Sequence, residues 1–140
     1  MEKFSECLYC QRNELQKSLM IKICDLSVST LFLFKEQSHP GRCIVAYNNH
    51  INELFELDDN ERNAFMADVC RTAKAIQKVF SPTKINYGAY SDKLAHLHFH
   101  IVPKYEGEFG FGGVFEMNPQ KTYLTETEYS DTISKIANAL

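Results

Sequence analysis

Apolar and polar positions alternate in short runs over the first third of the chain. Met20-Ile21-Lys22-Ile23, Thr30-Leu31-Phe32-Leu33-Phe34 and Arg42-Cys43-Ile44-Val45-Ala46-Tyr47 have the length and composition of β-strands. Between the last two lies Ser38-His39-Pro40-Gly41; proline fixes φ and glycine tolerates φ above zero, so a hairpin is predicted there, with His39 at the surface. The period then changes. Asp58 followed by Glu61 is a helix-start pattern, and Phe65, Val69, Thr72, Ala73, Ile76 and Val79 recur at helical spacing until Ser81-Pro82, which predicts a helix of about six turns. Two more strands are predicted over residues 85–89 and 96–102, separated by Ser91-Asp92-Lys93. A loop rich in glycine and phenylalanine follows at 109–113; Thr125 with Glu128 then makes a capping box, and Tyr129, Ile133, Ile136 and Leu140 form the stripe of a closing amphipathic helix. This order predicts an α+β fold: an antiparallel five-stranded sheet with one long helix and a C-terminal helix.

The strand at 96–102 carries the chemistry. It reads His96-Leu97-His98-Phe99-His100-Ile101-Val102. Successive strand side chains point to opposite faces, so the three imidazoles are expected on one face and Leu97, Phe99 and Ile101 on the other. One metal ion cannot hold all three, because positions 96 and 100 lie about 13 Å apart at roughly 3.3 Å per residue. The adjacent pair His96 and His98 can chelate one ion, which keeps a metal-dependent hydrolase open. The other use is nucleophilic: a neutral imidazole attacks phosphorus while a neighbouring histidine contacts the phosphoryl oxygens.

Composition narrows the partners. The chain of 140 residues carries a formal charge of −3 with its Lys and Arg scattered, which is unlike the basic footprint of a nucleic-acid-binding protein. Residues 1–6 lack the apolar core of a signal peptide, and no apolar run approaches the length of a bilayer span. A cytoplasmic protein with no nucleic-acid or membrane partner is expected. No internal repeat or Gly/Ser linker divides the chain, so a single domain is expected over residues 1–140. Five cysteines without a secretion signal argue against a disulfide framework, and Cys24, Cys43 and Cys70 fit apolar patterns. Cys7-Leu8-Tyr9-Cys10 differs: its spacing lets two thiolates share one tetrahedral ion. The βαβ context of a redox Cys-x-x-Cys is missing.

His-Leu-His-Phe-His-Ile-Val matches every position of the histidine triad motif, and the chain resembles the HIT superfamily of nucleotide hydrolases and transferases from Cys7 to about Pro119. The shared features are Pro40-Gly41-Arg42 before a strand ending near His50, a long helix, an Asn-bearing strand before the triad, and Pro103-Lys104-Tyr105 after it. The resemblance implies a HIT-like domain with a core over about 7–119 and a C-terminal helical extension over about 125–140. His98 matches the nucleophile that forms a nucleotidyl-histidine intermediate, His100 the histidine that contacts phosphate, and Asn86 the asparagine that positions phosphate or leaving group. Ile21, Ile23 and Phe32 are expected in the wall of a base pocket. Members with an N-terminal Cys-x-x-Cys complete a structural zinc site with a histidine after the third strand and the first triad histidine, which match His50 and His96. The implied set is Cys7, Cys10, His50 and His96. A homodimer is expected from the resemblance alone.

The chain departs from the family at three places, one of them the segment from Asn86 to His96, which is one residue shorter than in many members. Ser91-Asp92-Lys93 stands where Gly-Gln-Ser or Gly-Gln-Thr is usual, so backbone amides and the charge of Lys93 are expected to meet the phosphates. Phe34 or Lys35 stands at the ribose-binding Asp or Asn. The expected activity is hydrolysis of a dinucleoside polyphosphate, such as a diadenosine polyphosphate, at its α-phosphate. The alternatives are a nucleoside phosphoramidate hydrolase and a non-catalytic, zinc-stabilised nucleotide-binding module.

Overall fold

The computed structural model describes residues 6–93 and 95–140; Met1–Ser5, read above for a signal peptide, lie outside the described residues. Five strands, β1 (Met20–Asp25), β2 (Ser29–Phe34), β3 (Cys43–Tyr47), β4 (Lys84–Gly88) and β5 (His98–Lys104), form one antiparallel sheet in the order β1-β2-β3-β5-β4. Two short helices, α1 (Leu8–Gln11) and α2 (Glu14–Leu19), precede it. The long helix α3 (Asp59–Phe80) joins β3 to β4, and α4 (Glu126–Ala139) closes the chain. Among the described residues no helix is long and apolar enough to cross a membrane.

Alternation along the strands gives the sheet two covered faces. Leu31, Leu33, Cys43, Val45 and Ile101 pack with Phe65, Val69, Ala73 and Ile76 of α3 and with Ile136 of α4. Helix α3 begins where Asp58 accepts the Glu61 amide at 2.8 Å, and ends at Ser81 in the left-handed region (φ 48°), just before Pro82. Its register against the sheet is set by Asp68, a buried carboxylate that accepts from Ser27 N and Oγ, Val28 N and Ser29 Oγ at 2.6–3.2 Å. The opposite face carries Phe32, Phe34, Ile44 and Ala46 against Leu8 and Tyr9 of α1 and against Met20. Residues opposite one another across an antiparallel pair share a side. His98 is paired with Ala46 and His100 with Ile44, so both histidines stand on this second face.

The segment after β5 returns across the end of the sheet. Lys121 N and Thr122 N donate to Glu36 Oε2 at 2.7 and 3.0 Å, Gln37 N donates to Thr122 O at 2.8 Å, and Lys104 Nζ donates to Gly113 O. This return covers His39. Instead of lying at the surface, as its turn position suggests, His39 is buried against Phe109 with ring centroids 5.2 Å apart. Gly110 makes the approach possible: at φ +75° it turns the chain over the imidazole, and a Cβ there would sit 2.9 Å from His39 Cε1.

Candidate active site

His98 and His100 border a cavity of about 580 Å³ on the α1 side of the sheet, lined by Leu8, Tyr9, Leu19, Met20, Phe34 and Ile44 at its apolar end. Tyr90, Ser91, Asp92 and Lys93 form its polar rim, with Met117 and Asn118 from the returning segment. The imidazoles lie 5.2 Å apart, centroid to centroid, and both are buried. Tyr9 packs beside His98 at 4.8 Å, and Phe34 and Phe115 pack around His100 at 6.1 and 5.8 Å.

The two rings are held differently. His98 Nδ1 lies 2.7 Å from the carbonyl oxygen of His96. A carbonyl only accepts, so Nδ1 carries the hydrogen and Nε2 the lone pair. Ser91, in the left-handed region at φ 58°, sets its hydroxyl 3.4 Å from the same Nδ1. Burial pushes the pKa of His98 down to about 4, so the ring is neutral at pH 7. For His100, burial first and then the neighbouring Arg42 charge push it down to about 2.

His96 has a separate environment. Strand β5 begins at His98, so His96 precedes the strand that was expected to carry it. Its Nε2 donates to Tyr47 O at 2.6 Å, which leaves the Nδ1 lone pair facing Cys7 Sγ (3.3 Å), Cys10 Sγ (3.5 Å) and His50 Nδ1 (3.3 Å). Cys10 Sγ lies 3.4 Å from His50 Nδ1, and all four donor atoms fall within 4.8 Å of one another. Tetrahedral zinc with Zn–N near 2.05 Å and Zn–S near 2.3 Å requires donor separations of about 3.3 Å for N–N and about 3.6 Å for N–S. The cluster fits that ion in donor type, number and spacing. His98 is not part of it, and with the His98 Nδ1 hydrogen bonded to a carbonyl the geometry does not present His96 and His98 as a chelating pair.

Residues 18–107 match the HIT domain. The chain belongs to the HIT family. Members of that family are nucleotide hydrolases and transferases. Adenosine 5'-monophosphoramidase hnt1 of Schizosaccharomyces pombe is 28% identical over 97 residues, covering 66% of this chain and 70% of the relative. AP-4-A phosphorylase of Mycobacterium tuberculosis is 30% identical over 79 residues, 52% of this chain and 40% of that protein. The crystal structure of a HIT protein from Sinorhizobium meliloti superposes with a TM-score of 0.84 at 22% identity, covering 91% of this chain and 95% of that one.

The remaining expected HIT site residues are spread around the sheet. Asn86 lies on β4 opposite Val102, two positions from the Gly88–His100 pair and on the histidine side, but not in the cavity wall. Lys93 is exposed at the cavity rim. Ile21 and Ile23 do not line the cavity. Ile21 pairs with Leu33 and so shares the α3 side, and Ile23 packs into the α3 core. Phe32 is on the cavity side but lies behind Tyr9, 6.2 Å away. Leu8, Leu19, Met20, Phe34 and Ile44 build the apolar wall instead. The residue that sequence reasoning missed is Arg42, read only as the start of a strand and as part of the shared Pro40-Gly41-Arg42 feature. A charged side chain at the head of the apolar run Cys43-Ile44-Val45 was the available signal.

Proposed function

We propose that this HIT protein hydrolyses a dinucleoside polyphosphate through a nucleotidyl intermediate on His98. The observation that carries the reading is the hydrogen bond from His98 Nδ1 to the His96 carbonyl. It dedicates Nε2 to attack and keeps a partner for Nδ1–H when the ring becomes cationic. Nε2 bonds to the α-phosphorus as the bond to the bridging oxygen breaks, and the leaving phosphate departs with that electron pair. Water then attacks the same phosphorus; the P–Nε2 bond breaks, the ring returns neutral, one water proton is released, and a nucleoside monophosphate leaves.

Several features support the nucleotide class. The cavity has an apolar, aromatic end suited to a base and a polar end at Ser91–Lys93 suited to phosphates. A second hollow of about 440 Å³, lined by Asn52, Glu53 and Phe99 among others, shares Tyr90 and Ser91 with the first. Its Leu97 and Phe99 belong to the α3 side of the sheet, so the two hollows meet only at Tyr90 and Ser91 on the rim. The likeness to the phosphoramidase favours a second reading, in which the bond broken is P–N and the leaving group an amine; His98 acts identically. In both readings Cys7, Cys10, His50 and His96 hold a structural zinc that fixes α1, and with it Tyr9, against the nucleophile's strand.

The test is product analysis with diadenosine tetraphosphate and adenosine phosphoramidate, together with mass spectrometry of alkali-denatured protein. AMP release from the first substrate and a nucleotide-modified peptide containing His98 are expected. Turnover confined to the phosphoramidate selects the second reading. Unchanged turnover in His98→Ala overturns both.

A further inference from the structure

Arg42 is fully buried, yet among the described residues it forms no ion pair, and Glu36 balances its charge only through space. Its Nη2 lies 2.7 Å from Met117 O and 3.2 Å from His100 Nδ1, and its Nη1 donates to Glu116 O at 3.2 Å. The guanidinium sits 4.2 Å above the Phe34 ring and 5.1 Å from that of Phe115. Nη2 has two hydrogens, and Met117 O and His100 Nδ1 account for both. That nitrogen has no hydrogen left for a substrate. Nε–H is buried without a partner among the described residues and Nη1 keeps a second hydrogen, but Arg42 is fully buried and does not line the cavity, so it acts through what it holds.

We infer that Arg42 is a positioning residue that locks His100 as the neutral tautomer with its hydrogen on Nε2, opposite to His98. A guanidinium has donors and no acceptor, so the nitrogen facing it must present a lone pair. The only neutral imidazole that does so at Nδ1 carries its hydrogen on Nε2. A protonated His100 would set an N–H against an N–H. The neighbouring histidines thus have complementary duties: His98 offers a lone pair and His100 an N–H, as attack on a phosphoryl group demands. The same guanidinium holds the carbonyls of 116 and 117, so the segment that brings Met117 and Asn118 to the cavity is tied to the histidine that meets the phosphate. The catalytic use of this tautomer rests on the hydrolase reading; the tautomer itself does not.

The experiment separates the two. The full chain, labelled with nitrogen-15 in histidine and assigned with His98→Ala and His100→Ala, is examined by two-bond proton–nitrogen NMR at pH 7. His100 is expected to show an unprotonated Nδ1 and a protonated Nε2, with His98 reversed. In Arg42→Met, which removes every donor, the two His100 nitrogens should move toward a common exchange-averaged shift while His98 keeps its pattern. With diadenosine tetraphosphate as substrate, Arg42→Met should lower kcat about 100-fold, the scale of one lost transition-state donor. KM should change less than about threefold, and the variant Arg42→Met/His100→Ala should be no slower than His100→Ala. An Nδ1–H signature for His100 in the unmodified protein overturns the inference without any variant, so it stays testable even where Arg42→Met does not fold. An unaltered His100 tautomer in Arg42→Met, or losses that add in the double variant, also overturn it. Absence of turnover in the unmodified protein overturns the hydrolase reading alone, and the NMR result still decides the role of Arg42.

Discussion

On one side of the sheet Leu31, Leu33, Val45 and Ile101 meet Phe65, Val69 and Ile76; one residue along the same strands, Phe32, Ile44, His98 and His100 face α1, Arg42 and the returning segment. The first side is held by apolar contact with a helix of 22 residues. The second is covered by short pieces pinned at discrete polar points: the Cys7–Cys10–His50–His96 cluster at one end, and Arg42 and Glu36 at the other. The difference teaches where stability and chemistry reside. The helix side tolerates no holes, whereas the histidine side depends on a few anchors that orient reactive groups, so substitutions on the two sides should change different observables.

The sharpest separation is expected from His98→Ala. Steady-state turnover of diadenosine tetraphosphate should fall by at least about 10⁴-fold, the scale seen when a nucleophile is removed, with the melting temperature nearly unchanged. Phe65→Ala should do the reverse. Removing a fully buried phenylalanine costs about 3–5 kcal/mol, read from urea denaturation, while turnover per folded molecule stays close to the parent's; a large kcat effect would mean that the two sides are not independent. Cys10→Ser breaks an anchor rather than the core. Metal content should drop from about one zinc per chain toward none, with a fall in melting temperature smaller than for Phe65→Ala and a clear loss of turnover; full metal content in the variant would remove the zinc assignment.

The smallest effect concerns pH. Burial, together with the charges of Arg42 and Lys104, pushes His39 from its usual 6.5 down to about 4. The unfolded chain takes up a proton near pH 6.5 that the folded chain refuses until about 4. The contribution of His39 is therefore complete above pH 6.5 and is lost as the pH falls toward 4. Urea midpoints measured across that range should decline less steeply in His39→Gln than in the parent; parallel declines would show that His39 is not a source of the acid sensitivity.

Much of this comparison was legible in the sequence, for reasons that differ by element. Helix α3 announced itself through Asp58, Glu61 and a long apolar stripe, and α4 through its capping box, because such signals are local and repeated. Alternation in Met20-Ile21-Lys22-Ile23 marks a strand, yet in a sheet covered on both faces it cannot say which side Ile21 and Ile23 take, and they lie on the α3 side, away from Phe32. The cavity wall expected of them is built by Met20 and Phe34 instead. Helices α1 and α2 left no periodic trace, since elements of four and six residues are held by tertiary contact rather than propensity. The burial of His39 and the contact between Arg42 and His100 depend on residues 105–124 folding back, a pairing with no local signature. The triad motif was visible as three histidines; that each has its own partner, and two of them opposite tautomers, required the surroundings of each ring.

The cluster that anchors α1 joins Cys7 to His96 across 89 positions of chain, and Arg42 reaches to Met117 across 75. Loops of that span close slowly compared with a hairpin such as β2–β3 or with the turns of α3. During synthesis Cys7 and Cys10 emerge long before either histidine that completes their set, and the carbonyls that hold Arg42 come later still. The chamber around His98 is therefore among the last parts of the molecule to assemble. Closure of this chamber and completion of folding become the same event, so a truncated or stalled chain can form its hairpin and long helix without enclosing His98.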